Sequence, residues 1–350
     1  MKKSVFVPLM LAGMFMIFTS CQSKKKKDDE AKLKASQELL LKAQGFFKSL
    51  PKVAENPDNE ITDAKVLLGK VLYFDVALSK DNKISCNSCH NLSTYGVDNL
   101  PVSPGNDGKN GTRNSPTVLN AALDFVQFWD GRNKDVEEQA GGPILNPVEM
   151  AMPNEKAVVD KIKKDSKYQK LFADAYPGQK DPFTFENIRK AIAAFERTLM
   201  TPSKFDEFLS GKTEALNDDE QKGLATFMDQ GCTTCHIGQN LGGTMFHKFG
   251  LFGNYWEMTQ SKNIDNGRFD VTKNEADKYF FKVSGLRNIE KTFPYFHDGS
   301  VAKLDDAVKI MAKLQLNKDL TEEQTADIVT FLKTLTASIP EDWAKAPEIK

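Results

Sequence analysis

Histidine is scarce: the 350-residue chain has four, so any site built on imidazole draws on His90, His236, His247 and His297 alone. Cysteine is nearly as sparse. Of five, Cys21 stands apart and the other four fall as two close pairs, so none remains for a disulfide. A charge excess is missing too. With 47 basic against 48 acidic residues, nothing in the totals points to nucleic acid or to a strongly charged partner. No apolar run reaches bilayer length: Val5 to Phe18, after Lys2 and Lys3, is too short to span but right for the core of a signal peptide. Convincing alternating strands are also absent, which leaves a mainly helical chain with long irregular loops.

The apolar run ends in Phe18-Thr19-Ser20-Cys21, which resembles a bacterial lipoprotein cleavage box with Phe where Leu is usual. The resemblance implies a signal peptide over 1–20 and a lipid on Cys21. An ordinary secretory signal with an incidental cysteine is the alternative, and both export the chain. Ser23 to Glu30, SKKKKDDE, is expected to be a disordered charged tether that leads, within 21–50, into an N-terminal helix.

The paired cysteines carry the chemistry. Cys86-Asn87-Ser88-Cys89-His90 and Cys232-Thr233-Thr234-Cys235-His236 each offer two thioether sulfurs and one iron ligand, the requirements of a covalently bound haem c. One such motif is also compatible with a redox dithiol or half a zinc site, but two in an exported chain favour two haems. The motifs lie 146 residues apart, and a weak repeat precedes them, GKVLYFD at 69–75 and GLATFMD at 223–229. The economical reading is two cytochrome c-like domains, 51–200 and 201–337, with the tail 338–350 packing back on the first. Helices are expected over Glu186–Met200, over Leu304–Leu314 and after the capping box Thr321-Glu-Glu-Gln324.

Each haem takes its proximal histidine, His90 or His236. On periodicity alone Met311 is a core residue, and Glu149, in the loop GPILNPVEM at 142–150, is an exposed glutamate. Peroxide chemistry would need a carboxylate beside an open iron face, to move a proton between the two oxygens.

The segments LGKVLYFD (68–75), ISCNSCHNLS (84–93), RNSPTVLNA (113–121), FWDGR (128–132), EEQAGGPILNPVEM (137–150), GCTTCH (231–236), FKVSGLRN (281–288) and TFPYFHDGS (292–300) together resemble the bacterial dihaem cytochrome c peroxidases, from about Pro57 to Leu335. The resemblance implies an N-terminal peroxidatic haem on His90 and a C-terminal electron-transfer haem with His236 and Met311 as axial pair. It implies Glu149 as catalytic acid/base, Gln139 as its partner in the distal pocket, and Trp129 as a relay between the haems. A calcium ion held by Asn114, Thr292 and Pro294 is implied as well. So are hydrogen peroxide as substrate, a small donor protein (a cytochrome c or a cupredoxin) and a homodimer. Periplasmic location with a lipid anchor, in the outer membrane, completes the expectation. His297 reads as a group supporting the site and His247 as a surface or loop residue.

One position departs from the family pattern. Most of these enzymes carry a distal histidine 16 residues after the proximal one, which blocks the iron until the second haem is reduced; here that residue is Asn106. A neutral carboxamide is a poor ligand for haem iron, so the expectation is a peroxidase that needs no reductive activation. Two other readings remain on the same architecture: a maturation-type enzyme that oxidises a protein tryptophan, against which Met311 argues, and a non-enzymatic dihaem electron carrier, against which Glu149 and Gln139 argue.

Overall fold

The computed structural model describes residues 12–349, with side chains from residue 26 onward, so the signal segment 1–20 and the Cys21 side chain lie outside the described residues apart from the backbone of 12–20. Helix α1 spans Ala12–Gln44. It runs through the stretch expected to be a disordered tether, and that expectation is corrected. Lysine and glutamate are good helix formers, and Lys26–Glu30 and Lys34–Glu38 sit at helical i, i+4 spacing, 4.0 and 3.9 Å apart. Farther along, Ser36 Oγ donates to Gln221 (2.7 Å), and Leu40, Ala43 and Phe47 are buried in the core of the second domain.

The repeat found in the sequence is a repeat of helix crossings. Helix α2 (Asp63–Phe74), capped by Thr62, crosses α3 (Phe185–Glu196) at Gly69, where an added Cβ would lie 1.9 Å from the Ala191 carbonyl oxygen. Helix α4 (Asp218–Asp229) crosses a later helix at Gly223, where a Cβ would lie 2.2 Å from the Asp327 oxygen. Each glycine is therefore the contact that lets two helix backbones touch. We expect Gly69→Ala to cost about 3 kcal/mol or more by overpacking, measured as lower thermal stability and poorer haem incorporation, whereas Gly111→Ala, whose added Cβ would meet nothing nearer than the Arg113 oxygen at 3.8 Å, leaves incorporation intact.

Beyond α4, strands β1 (Phe246–Lys248) and β2 (Phe280–Lys282) pair antiparallel, followed by α5 (Leu304–Leu316) and α6 (Glu322–Lys333). Thr321 and Gln324 form the expected capping box on α6, with reciprocal bonds of 3.1 and 3.0 Å. Helix α3 is shorter than its periodicity suggested. It ends at Glu196, and Arg197 forms a buried bidentate pair with Glu137 (2.8 and 2.7 Å), while Pro202 disfavours helical backbone just beyond.

Two main hydrophobic cores result, with smaller clusters beside them. One gathers residues 68–199, with Ile339 and Trp343 of the tail packed against it; the other gathers 205–335 with the end of α1. At the joint, the buried Thr201 hydroxyl accepts from Asn120 (2.7 Å) and Asn288 (2.9 Å), so one side chain ties a loop of each domain to the crossover. Among the described residues no helix is long and apolar enough to cross a membrane.

Candidate active site

Both C-x-x-C-H motifs sit on short helical turns, with each histidine just past the turn and partly buried. His90 Nδ1 lies 2.9 Å from the Pro116 oxygen and His236 Nδ1 3.0 Å from the Leu241 oxygen. A carbonyl can only accept, so in each ring Nδ1 carries the proton and Nε2 is left as the ligating nitrogen. Burial lowers the pKa of both imidazoles and favours the neutral form an iron needs. It also raises the Cys89 and Cys232 thiols to about 11, which suits neither a redox dithiol nor a zinc thiolate.

His236, Cys232, Cys235 and Met311 line one cleft, so the sulfur that periodicity would have left in the core faces the histidine's cavity. His297, 2% exposed, lines the same cleft, and its Nε2 is buried without a hydrogen-bond partner among the described residues. An orphaned polar atom in an otherwise apolar slot fits a bound group with polar edges such as haem. His247 corrects its surface assignment. It lies on β1, half-buried, lines this cleft and sits 3.1 Å from the Gln315 amide of α5.

Trp129 joins the two halves. Its indole Nε1 donates to the Asn114 oxygen (2.9 Å), its own carbonyl accepts from Lys282 N of β2 (2.8 Å), and the Asn114 N–H donates to His297 O (2.7 Å). Trp129 and His297 occupy equivalent tight turns, Phe-Trp-Asp-Gly and Phe-His-Asp-Gly, each with a left-handed Phe (φ 65° and 72°) and a left-handed Gly. Arg113 locks the arrangement, holding Asp130 (2.5 Å) of the first domain and Asp265 (2.6 and 2.8 Å) of the second. Nothing in the sequence paired Arg113 with Asp265, 152 residues away.

Glu149 is half-buried on its loop. Desolvation raises its pKa, opposed by the charge of Arg132 and by a 2.8 Å hydrogen bond from Asn146 Nδ2 to Oε1, so Oε2 is the oxygen left free. Gln139 ends the short helix Val136–Gln139 ten residues earlier, and its side chain has no hydrogen bond among the described residues. Asn106 lies against the same loop: its N–H donates to the Glu149 carbonyl (2.7 Å), and a Cβ on Gly105 would meet the Val148 oxygen at 1.7 Å. The Asn106 amide is committed elsewhere, donating to Asp81 Oδ2 (2.9 Å) while its oxygen accepts from Asp81 N (3.3 Å).

At the domain junction, Asn114 Nδ2 donates to Leu100 O (2.9 Å), which turns its oxygen away from that bond. Among the described residues, no hydrogen bond is accepted by Asn114 Oδ1, Thr292 O or Pro294 O, and all three residues border the cleft. Uncommitted amide and carbonyl oxygens are the donor type that calcium takes.

The sequence pattern of the family described as di-haem cytochrome c peroxidase matches residues 63–214. Cytochrome c551 peroxidase of Nitrosomonas europaea is 48% identical over 278 residues, 78% of this chain and 80% of its own. The chain belongs to the di-haem cytochrome c peroxidase family. Cytochrome c551 peroxidase of Pseudomonas aeruginosa is 44% identical over 300 residues, 85% of this chain and 86% of the relative. Among solved structures, a MauG-like protein associated with microbial copper homeostasis superposes with a TM-score of 0.75 at 28% identity, over 86% of this chain and 97% of that one. This peroxidase is thus an oxidoreductase acting on peroxide, with two haem c groups and the mainly helical cytochrome c-like fold expected of it.

Proposed function

We propose that this peroxidase reduces hydrogen peroxide to water with electrons from a small redox protein, a cytochrome c or cupredoxin, and that its first haem is open in the fully ferric state. In this reading Cys86, Cys89 and His90 would hold the peroxidatic haem, and Cys232, Cys235, His236 and Met311 would hold the electron-transfer haem. A haem held at His90 would supply the redox chemistry, and the chain's own residues the handling of protons. Glu149 Oε2 takes the proton from one peroxide oxygen and returns it to the other, which departs as water; Gln139 orients the peroxide by hydrogen bonding. Trp129 carries electrons between the domains, held by Asn114 and Lys282. The balance is one peroxide, two electrons and two protons to two waters.

The observation that carries the open-site reading is the commitment of the Asn106 amide to Asp81, which leaves that side chain no role as an iron ligand. Its test is the ferric turnover experiment described in the Discussion. Export to the periplasm on the 1–20 signal, a lipid on Cys21 anchoring the protein to the outer membrane, and a homodimer belong to the same proposal. Calcium at Asn114, Thr292 and Pro294 would clamp the junction between Trp129 and the second domain. Chelation should lower the melting temperature of the holoprotein by several degrees and calcium should restore it, whereas Asn114→Ala should show neither response. For the second haem, Met311→Ala should lower the midpoint potential by roughly 0.1–0.3 V, within the ~0.8 V that axial ligands command. A redox titration reads this directly, and an unchanged potential would remove Met311 as a ligand.

A further inference from the structure

The excursion between β1 and β2 encloses a row of rings that begins at Trp129. His297 stands edge-on to Trp129 with centroids 6.4 Å apart, Tyr255 lies 5.1 Å from His297, Trp256 5.1 Å from Tyr255, and Tyr279 5.1 Å from Trp256. Burial falls off along the row. His297 and Tyr255 are 2% and 0% exposed, whereas Trp256 and Tyr279 are half-buried and reach solvent. The row is held rigidly: the Tyr255 hydroxyl accepts from Asp265 N (2.7 Å) and donates to Asp265 O (3.1 Å), and Asp265 is the residue gripped by Arg113.

Packing alone would be satisfied by phenylalanine, and Phe249, Phe281 and Phe296 fill the flanks of this cluster. Apart from His297, which bridges Trp129 and Tyr255 without itself being oxidised, the row is built from tyrosine and tryptophan, the side chains that give up a single electron to oxidants as strong as activated peroxide. Tunnelling falls exponentially with distance, so several ring contacts in series outrun one long jump. We propose that Tyr255 and Trp256 form an exit for oxidising equivalents, leading from Trp129 to the surface at Trp256 and used when peroxide meets an enzyme short of donor electrons. The proposal rests on the reading of Trp129 as a relay.

The step balances. Two electrons drawn in succession from Trp256, with its indole proton passing to water, leave a cation that water attacks, and the net change is tryptophan plus peroxide to hydroxytryptophan plus water. A small phenol or hydroquinone in solution can repair each one-electron stage instead. Two phenols then give two phenoxyl radicals while peroxide becomes two waters.

The test uses the full-length holoprotein mixed with peroxide without donor protein, followed by peptide mass spectrometry. Trp256 should gain an oxygen early, while Met258, 41% exposed and oxidised by peroxide directly at sulfur, serves as the clock for reaction that bypasses the haem. Tyr255→Phe should strongly suppress oxidation at Trp256 and leave Met258 unchanged. Trp256→Phe should lose donor-independent phenol oxidation and inactivate after fewer turnovers, with donor-driven turnover unaltered. If Trp129→Phe suppresses Trp256 oxidation and Tyr255→Phe does not, the exit is wrong and the relay stands. If Trp129→Phe changes neither Trp256 oxidation nor electron exchange between the haems, the relay itself fails. Oxidation of Trp256 at the same pace as Met258 with cyanide on the haem would also overturn the proposal.

Discussion

Glu149→Gln is expected to lose about two or more orders of magnitude in peroxide turnover while both haem spectra stay as they are. The amide keeps the shape of the side chain and its contact with Asn146 but cannot take a proton. The pH dependence follows from the environment of the carboxyl. Burial raises its pKa above the ordinary carboxylate range, and the base must be ionised to act. Activity should therefore be full above that raised pKa and fall as the pH drops through it, at a higher pH than an exposed glutamate would give. Replacing Arg132 by Gln removes the charge that opposes desolvation, so the acid limb should move to still higher pH. Near-normal turnover of the Gln variant would remove Glu149 from the mechanism.

Fully ferric protein, as isolated, should reduce peroxide from the moment of mixing, with no lag and at the rate of protein first reduced at its second haem. Its first haem should show no bis-histidine low-spin spectrum. The physical ground is the loop around Asn106, fastened by its own N–H to the Glu149 carbonyl and by its amide to Asp81, with Gly105 packed against Val148. Asn106→Asp is an informative variant, since a carboxylate facing Asp81 breaks the latch by repulsion. It should lower the rate by displacing Glu149 without changing the ligation of His90. A lag abolished only by prior reduction would defeat the open-site reading. His247 does not supply the missing ligand in this fold, because β1 and Gln315 hold it in the cleft lined by His236 and Met311.

Several features were legible because they depend on residues close in sequence. Two C-x-x-C-H motifs point to haem between them, since each sets two thiols and an imidazole within one turn and the pair leaves little room for a dithiol or zinc reading. The glycine repeat before each motif marked equivalent helices, and the capping box at Thr321 marked the start of the last one. The helical character of the charged N-terminal stretch was not legible, because composition alone does not reveal that the helix beyond it is seated by Leu40, Ala43 and Phe47 on a distant core. Met311 was ambiguous for a similar reason: an amphipathic helix does not disclose which apolar position meets a cavity.

Read along the chain alone, the residues place two covalent haem motifs, leave only His247 and His297 beyond the two proximal histidines, and carry the pattern of the dihaem peroxidases. Those conclusions rest on covalent chemistry and counting, which no fold can alter. Only the tertiary structure decided what surrounds the irons. It brought Met311 to the cleft of His236, turned the Asn106 amide onto Asp81, and closed Arg113 on Asp130 and Asp265 around Trp129. Each of these is a contact between side chains far apart in the chain, chosen by burial and hydrogen-bond satisfaction across the junction of two domains.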